Sequence, residues 1–520
     1  MKKILYILTL SVKLTLFTSA QTTFMQSITN PTLIVDVIGG AENGGVHCFG
    51  GRHGDIVNNW SGKIYACDNT GSTVFQRLHR LAGRDIFYTD VARGQSGSFH
   101  VCGYSIPFVG GTPEAIVTSI DAAGNVLYAT SFSNGYDIYS TIRMLEGRDS
   151  GCYVGWSNIQ TGSYADVFLI HHRNGVILDQ LELRTDTNLA TEESLIAMNR
   201  GADGGFYLLG QNTDASYVLR YTWLTKLDSL LNHRWTVQFP DTAFHFADFD
   251  ISTEGSLLLY GRKQNTVGEN EPFLSRIDST GSVSWTKTYS SSMINYIPLQ
   301  IAATIDGGAT LIGGEFYSIQ NYTTTSRIRV DEQGDVAFSA KLYGAMLDFE
   351  PFYASTSSDG SLWISGRNLL GIYGLIMKLD PDAMSACYDS VVAVTVNTET
   401  LSGAFITPMI TSGNMVAISE NLIVDSSLHK SNLCFSTGIE EEPKVRNVSV
   451  NNPVGSTLVL NQVSDYRQLT VYDLSGRKLI TREKNTEDEW RVDVQCLPAG
   501  CYIVHLQGPR GNEVAKVSKQ

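Results

Sequence analysis

Short runs in which apolar and polar residues alternate follow one another along most of the chain, each closed by a tight turn. Tyr207-Leu208-Leu209-Gly210 and Leu274-Ser275-Arg276-Ile277 are typical. Alternation with period two sends successive side chains to opposite faces, and so predicts half-buried strands. No segment with helical periodicity interrupts the series. Asp, Asn and Gly punctuate it, supplying side-chain caps and the positive φ that other residues reach only at a cost. The pattern is that of an all-β protein.

The strands recur in units. One column is an Asp-Gly-Gly turn followed by a short alternating strand ending in Gly, as in Asp203-Gly204-Gly205 to Gly210, Asp306-Gly307-Gly308 to Gly313 and Asp359-Gly360-Ser361 to Gly366. Weaker copies lead to Gly50, Gly103, Gly155 and Gly261, so that successive closing glycines stand 53, 52, 55, 51, 52 and 53 residues apart. A second column has the form apolar-x-Asp-x-x-Gly-x-x-x-aromatic. Its Asp position holds Asp68, Asp121, His172, Asp228, Asp278, Asp331 and Asp380. Its aromatic position holds Phe75, Tyr128, Asp179, Trp235, Trp285, Phe338 and Cys387, with the third and seventh copies degenerate.

A period near 50 with about four strands per unit predicts a ring of four-stranded blades, a β-propeller whose closure protects the sheet edges. The aromatic in the last strand is expected to wedge between neighbouring sheets. Seven blades are expected, within residues 21–390. Ser412 to Ser419 imitates the Asp359 to Gly366 segment at the same period but lacks the second column. Residues 391–438 thus read as a strand-rich extension, with a degenerate eighth blade as the alternative. Residues 439–444 are a charged linker, and residues 445–520 read as a small immunoglobulin-like β-sandwich of short strands.

The first 20 residues read as a signal peptide. Lys2 and Lys3 precede an apolar stretch from Ile4 to Phe17, broken by Lys13, and Thr18-Ser19-Ala20 offers cleavage between Ala20 and Gln21. No later segment is long and apolar enough to span a bilayer as a helix, so a mature chain without a transmembrane segment is expected.

The net charge of −14 argues against nucleic acid, whose binders carry a basic face. From Pro443 to the end, however, 11 Lys and Arg outnumber 8 Asp and Glu, so the acidity belongs to the repeats. Eight cysteines are permitted disulfides in an exported chain, with Cys387–Cys434 and Cys496–Cys501 the candidate pairs. None forms a CxxC pair or stands with His at zinc-ligand spacing, and no phosphate loop, HExxH or EF-hand loop occurs. No cofactor or metal is expected.

In the tail, Asn452-Pro453, Leu469-Thr470-Val471-Tyr472-Asp473-Leu474-Ser475-Gly476-Arg477-Lys478-Leu479, Leu497-Pro498-Ala499-Gly500-Cys501-Tyr502-Ile503-Val504, Lys516 and Lys519 follow in order. This resembles the type A C-terminal sorting domain of the type IX (Por) secretion system of Bacteroidota. It departs from the family at Val450-Asn451-Asn452-Pro453, usually Tyr-Pro-Asn-Pro, and at Cys501. The resemblance implies passage of the inner membrane by the signal peptide, export through the type IX machinery, and removal of the tail, leaving the protein extracellular or on the outer cell surface. The repeat units also resemble the propellers of other type IX cargo proteins.

Candidate chemistry is sparse. The Asp-x-x-Gly-x-x-x-Trp turn is similar to that of quinoprotein-like propellers, where it is structural, and differs from sialidase Asp-boxes, which place Gly two residues after Asp. Arg148-Asp149-Ser150-Gly151 occupies the first turn column. Alternation sends the rings of His171 and His172 to opposite faces, so they cannot share one metal. The densest acid and His cluster is Asp241, His245, Asp248 and Asp250, between the fourth and fifth units, and it is the candidate binding site. No catalytic residue is assigned. The reading preferred is a non-enzymatic scaffold that binds an extracellular protein or glycan. The alternative is a polysaccharide hydrolase or lyase with a site at the propeller mouth.

Overall fold

The computed structural model describes residues 23–29, 32–34 and 47–54 and, with short omissions in loops, residues 60–436 and 449–519. The signal cleavage at Ala20 and Gln21 lies outside the described residues, as do Cys387 and Cys496 and the side chains of Cys434 and Cys501. The chain divides into two compact units, Met1–Gly438 and Ile439–Gln520.

The first unit is a seven-bladed propeller. Blade I is built on Thr32–Ile34, His47–Gly54, Trp60–Cys67 and Thr73–Arg80, and each later blade repeats this antiparallel meander. The innermost strands are Arg84–Arg93 in blade II, Arg143–Glu146 in III, Thr191–Arg200 in IV, Phe244–Ile251 in V, Tyr296–Ala303 in VI and Phe349–Thr356 in VII. Each packs against the innermost strand of the next from blade II to blade VII, and Thr32–Ile34 of blade I meets Leu362–Asn368 and Gly374–Leu379 of blade VII, which closes the ring. The core is a series of apolar layers between adjacent blades, such as Leu209, Leu224, Phe239, Phe246, Leu259 and Phe273 between IV and V.

Closure uses the N-terminus. The fourth strand of blade VII is Thr23–Thr29, paired antiparallel with Gly374–Leu379. Lys378 stands opposite Phe24 there, as Lys226, Arg276 and Arg329 stand opposite Trp235, Trp285 and Phe338. The seventh place in the aromatic column therefore belongs to Phe24, and not to Cys387 as the spacing predicts.

Residues 389–436 form no blade of their own. They run backwards around the ring and lay a fifth strand on every blade: Asp389–Val391 on VI, Thr395–Glu399 on V, Ala404–Ile406 on IV, Met409–Ser412 on III, Val416–Ser419 on II, Ile423–Asp425 on I and His429–Ser436 on VII. Blades are thus five-stranded, where the repeat predicts four. The belt covers the outer edge that each meander leaves unpaired. Its last strand pairs with Thr23–Thr29, which is held on both sides.

The two sequence columns acquire physical causes. Each closing glycine lies within the second strand of its blade and does not end it. In five blades it stands opposite a bulge in the innermost strand, as Gly103 opposite Tyr88 and Gly261 opposite Phe246. The bulge pushes backbone into the space a side chain would take: a Cβ on Gly103 would lie 1.8 Å from the Phe87 carbonyl oxygen. In the second column, Asp278 Oδ1 accepts from the backbone N–H of Thr280 (2.8 Å) and Ser282 (3.0 Å), and Asp121, Asp228 and Asp331 cap their turns in the same way. Gly281 follows at φ +92°, with Trp235 of the preceding blade against it, and Trp285 likewise lies on Gly334. Where blade III has Asp179 for the aromatic, blade IV has Leu231 for the glycine. Leu231 is held at φ +62° and buried with Leu181 in the layer between the two blades.

The second unit comprises a three-stranded sheet (Ser449–Val450, Thr457–Asn461, Glu489–Asp493) and a four-stranded sheet (Gln468–Tyr472, Lys478–Glu483, Gly500–Gly508, Gly511–Lys519). Leu458, Leu460, Val471, Trp490, Val504 and Leu506 contribute to one apolar core. Tyr502 donates its hydroxyl to the Pro498 carbonyl at 2.7 Å.

Candidate functional site

A cavity of about 480 Å³ runs among the innermost strands and draws its lining from blades II to VII, including Asp90, Arg143, Asn199, Asp248, Asp250 and Gln300. The structure divides the acid and His cluster read from the sequence. Asp248 and Asp250 line this channel. Asp241 is an exposed turn residue that caps the N–H of Ala243 at 3.0 Å, and the half-buried His245 is not in the lining.

The channel acids are tied to the backbone of the next blade. Asp248 Oδ2 accepts from Ile301 N–H at 3.0 Å. Asp250 accepts from Ala303 N–H (2.7 Å), Ile251 N–H (2.7 Å) and the Asn199 amide (2.9 Å). Asp90 accepts from Val91 N–H (2.8 Å) and Met144 N–H (2.6 Å). Arg143 crosses in the same direction, donating Nε to the Ile196 carbonyl at 2.9 Å. An innermost strand is a sheet edge whose free N–H groups face the channel. A carboxylate from the preceding blade satisfies them and locks one blade to the next. Burial pushes the Asp248 carboxyl up to about 7, against the opposing pull of Arg143 and the backbone donors, and it also raises Asp250.

Asp90, Asn199 and Gln300 escape notice in the sequence because none stands in a cluster of acidic residues and His. The repeat itself carries a signal: Asp90, Asp248 and Gln300 each stand 13 residues before their closing glycine.

Other sequence candidates also have local tasks. Asp149 accepts from Gly151 N–H (3.2 Å) and pairs with His171 (3.1 Å), whose ring stacks on Tyr153. His172 is buried on the other face, between Tyr128 and Phe132, and burial lowers it to about 4. Cys67, Cys102 and Cys152 are buried and not in disulfides. Among the described residues, no group of three or more His, Cys, Asp or Glu is placed to hold a metal ion. No helix there is long and apolar enough to cross a membrane.

A second cleft, of about 640 Å³, opens at the rim between blades IV and V. Asp203, Lys226, Asp228, Leu230, Arg234, Trp235, Ser279 and Thr280 line it. Its charges are paired, Lys226 with Asp203 and Arg234 with Asp228, each at 2.7 Å.

No curated protein sequence matches the chain. Among solved structures, a neuraminidase-like protein from A/bat/Guatemala/164/2009 is similar at 10% identity and TM-score 0.35, with 70% of this chain and 91% of that one covered. An exo-beta-1,3-galactanase from Phanerochaete chrysosporium is similar at 10% identity and TM-score 0.30, covering 77% and 96%. Residues 451–520 match the family described as the secretion system C-terminal sorting domain. They fall within the seven-stranded second unit, and the chain is a type IX secretion cargo in which a β-propeller precedes its export domain.

Proposed function

We propose that the exported propeller is a binding scaffold for an extracellular glycan or protein, and that its channel carries out no reaction. One observation supports this above others: Asp90, Asp248 and Asp250, the acids of the channel, are each engaged by backbone N–H groups of their own and the neighbouring blade. A general acid or nucleophile needs a carboxyl free to meet substrate. These carboxyls hold the ring instead. Binding then falls to the rim, where the turns present charged, hydroxyl and aromatic side chains. On this reading the sorting domain engages the type IX machinery, the signal peptide at residues 1–20 takes the chain across the inner membrane, and the ring acts outside the cell.

Glycan-array and pulldown screening of the exported protein tests the proposal. Capture of a glycan or protein without chemical change is expected. Release of new reducing ends or unsaturated products from a polysaccharide overturns it in favour of the hydrolase or lyase.

A further inference from the structure

The aromatics of the outer strands sit in inter-blade grooves, and a cation closes some of these. Two residues after Phe75, Arg77 reaches across to the Ala123 carbonyl of blade II at 2.9 Å. Two residues after Trp285, Lys287 pairs with Asp335 of blade VI at 2.6 Å and lies 5.7 Å from the Trp285 ring centre. The equivalent position after Trp235 holds Val237, which is buried in the layer between the blades. No side chain from that position spans this groove, and here the cleft of about 640 Å³ stands open.

Its lining has a definite chemistry. Trp235 is anchored by donating its indole N–H to the Ser279 carbonyl at 3.2 Å, which leaves its half-exposed ring fixed at low entropic cost. Leu230, 74% exposed, adds apolar surface beside it. Around them stand two carboxylates and two cations, each set paired at 2.7 Å, with Ser279 and Thr280 opposite. Two Asp and two basic residues give the lining no net charge. It therefore has no field to attract a polycation, and the net charge of −14 on the whole chain repels polyanions. Asp228 is filled by its own turn and by Arg234, but Asp203, Lys226 and Arg234 keep lone pairs or N–H groups that suit an array of hydroxyls, and a fixed aromatic ring suits the apolar face of a sugar ring.

We infer that the groove between blades IV and V is a binding site for a neutral oligosaccharide, with Trp235 and Leu230 against the ring carbons and Asp203, Lys226 and Arg234 on the hydroxyls. This rests on the reading of the propeller as a binding scaffold, and it names the glycan arm and its location.

The experiment is calorimetric titration of the full chain with chitohexaose, laminarihexaose, xylohexaose and mannohexaose, and with a peptide library as comparison. Two variants probe the groove: Arg234→Ala, whose side chain is 59% exposed, and Leu230→Ala. Leu178→Ala, exposed on blade III, is the control. Binding of at least one hexasaccharide is expected, weakened about fivefold or more by each groove variant and unchanged by the control. A hexasaccharide bound equally by all variants overturns the groove assignment and leaves the scaffold reading standing. Peptide capture lost in the groove variants overturns the glycan assignment alone. Hydrolysis of any hexasaccharide overturns both readings.

Discussion

Replacing Asp248 by Asn tests, through the pH dependence of stability, whether this carboxyl pays for its burial in the folded ring. Burial raises Asp248 to about 7 in the folded chain, against about 3.9 for an unfolded aspartate. The folded state thus binds this proton more tightly than the unfolded state. The stability this contributes is complete below about pH 4 and is lost as pH rises toward 7, at about 1.4 kcal/mol per pH unit. Three units give an upper bound of about 4 kcal/mol. An amide in place of the carboxyl would carry no such term, though its N–H groups need partners at a cost of about 1–2 kcal/mol. At pH 8 the Asp248→Asn variant should be more stable than the natural protein by about 2–3 kcal/mol; at pH 4.5, where about 1 kcal/mol of the term is already lost, it should be less stable by no more than about 1 kcal/mol. His79, His100 and His172, lowered by burial to about 3, 4 and 4, act oppositely: the unfolded state binds their protons first, so stability falls as pH drops below 6.5. They are common to both proteins and cancel in the difference. The assay is urea unfolding, followed by tryptophan fluorescence, at intervals from pH 4.5 to 8. Parallel profiles, or a variant weaker by the same amount at every pH, would refute the reasoning.

Further predictions concern the ring. Gly103→Ala forces a Cβ onto the Phe87 carbonyl at the bulge and should cost about 3 kcal/mol or more, seen as a large drop in thermal midpoint. Trp285→Ala empties the space over Gly334 and should cost about 3–5 kcal/mol, whereas Asp278→Ala removes only exposed turn bonds and should cost about 1 kcal/mol; chemical denaturation ranks the two. Deleting residues 389–436 uncovers the outer edges and one side of Thr23–Thr29, so the shortened chain should associate, as read by light scattering on a sizing column.

The ring was legible because its signals are local. An Asp that caps its own turn and a Gly at positive φ are written within five residues, so seven copies at one period announce the blades. Pairing partners are not written that way. Thr23–Thr29 reads as one more strand, and only its register, with Phe24 opposite Lys378, shows that it completes blade VII. The belt was missed for the same reason: its strands are short, and the one covering blade V, Thr395–Glu399, is mostly polar and half-exposed, so no hydrophobic period marks it. The candidate site was half legible. The cluster around Asp248 pointed to the channel, but Asp241 and His245 are neighbours only in sequence. The bulge between Phe246 and Asp248, which shifts the strand's register just ahead of the two channel acids, has no composition signal of its own. At the rim, the open groove depended on Val237 standing where Arg77 and Lys287 stand elsewhere, a difference that means nothing until the blades are side by side.

The central claim is that the channel acids hold the ring and that the protein binds without reacting. The most direct measurement incubates the exported protein and its Asp248→Asn variant with a panel of neutral and acidic polysaccharides, and follows reducing ends and ultraviolet-absorbing unsaturated products. The account predicts no product from either protein, and glycan capture undiminished in the variant. Product released by the natural protein and abolished by Asp248→Asn, with the fold intact, would contradict it.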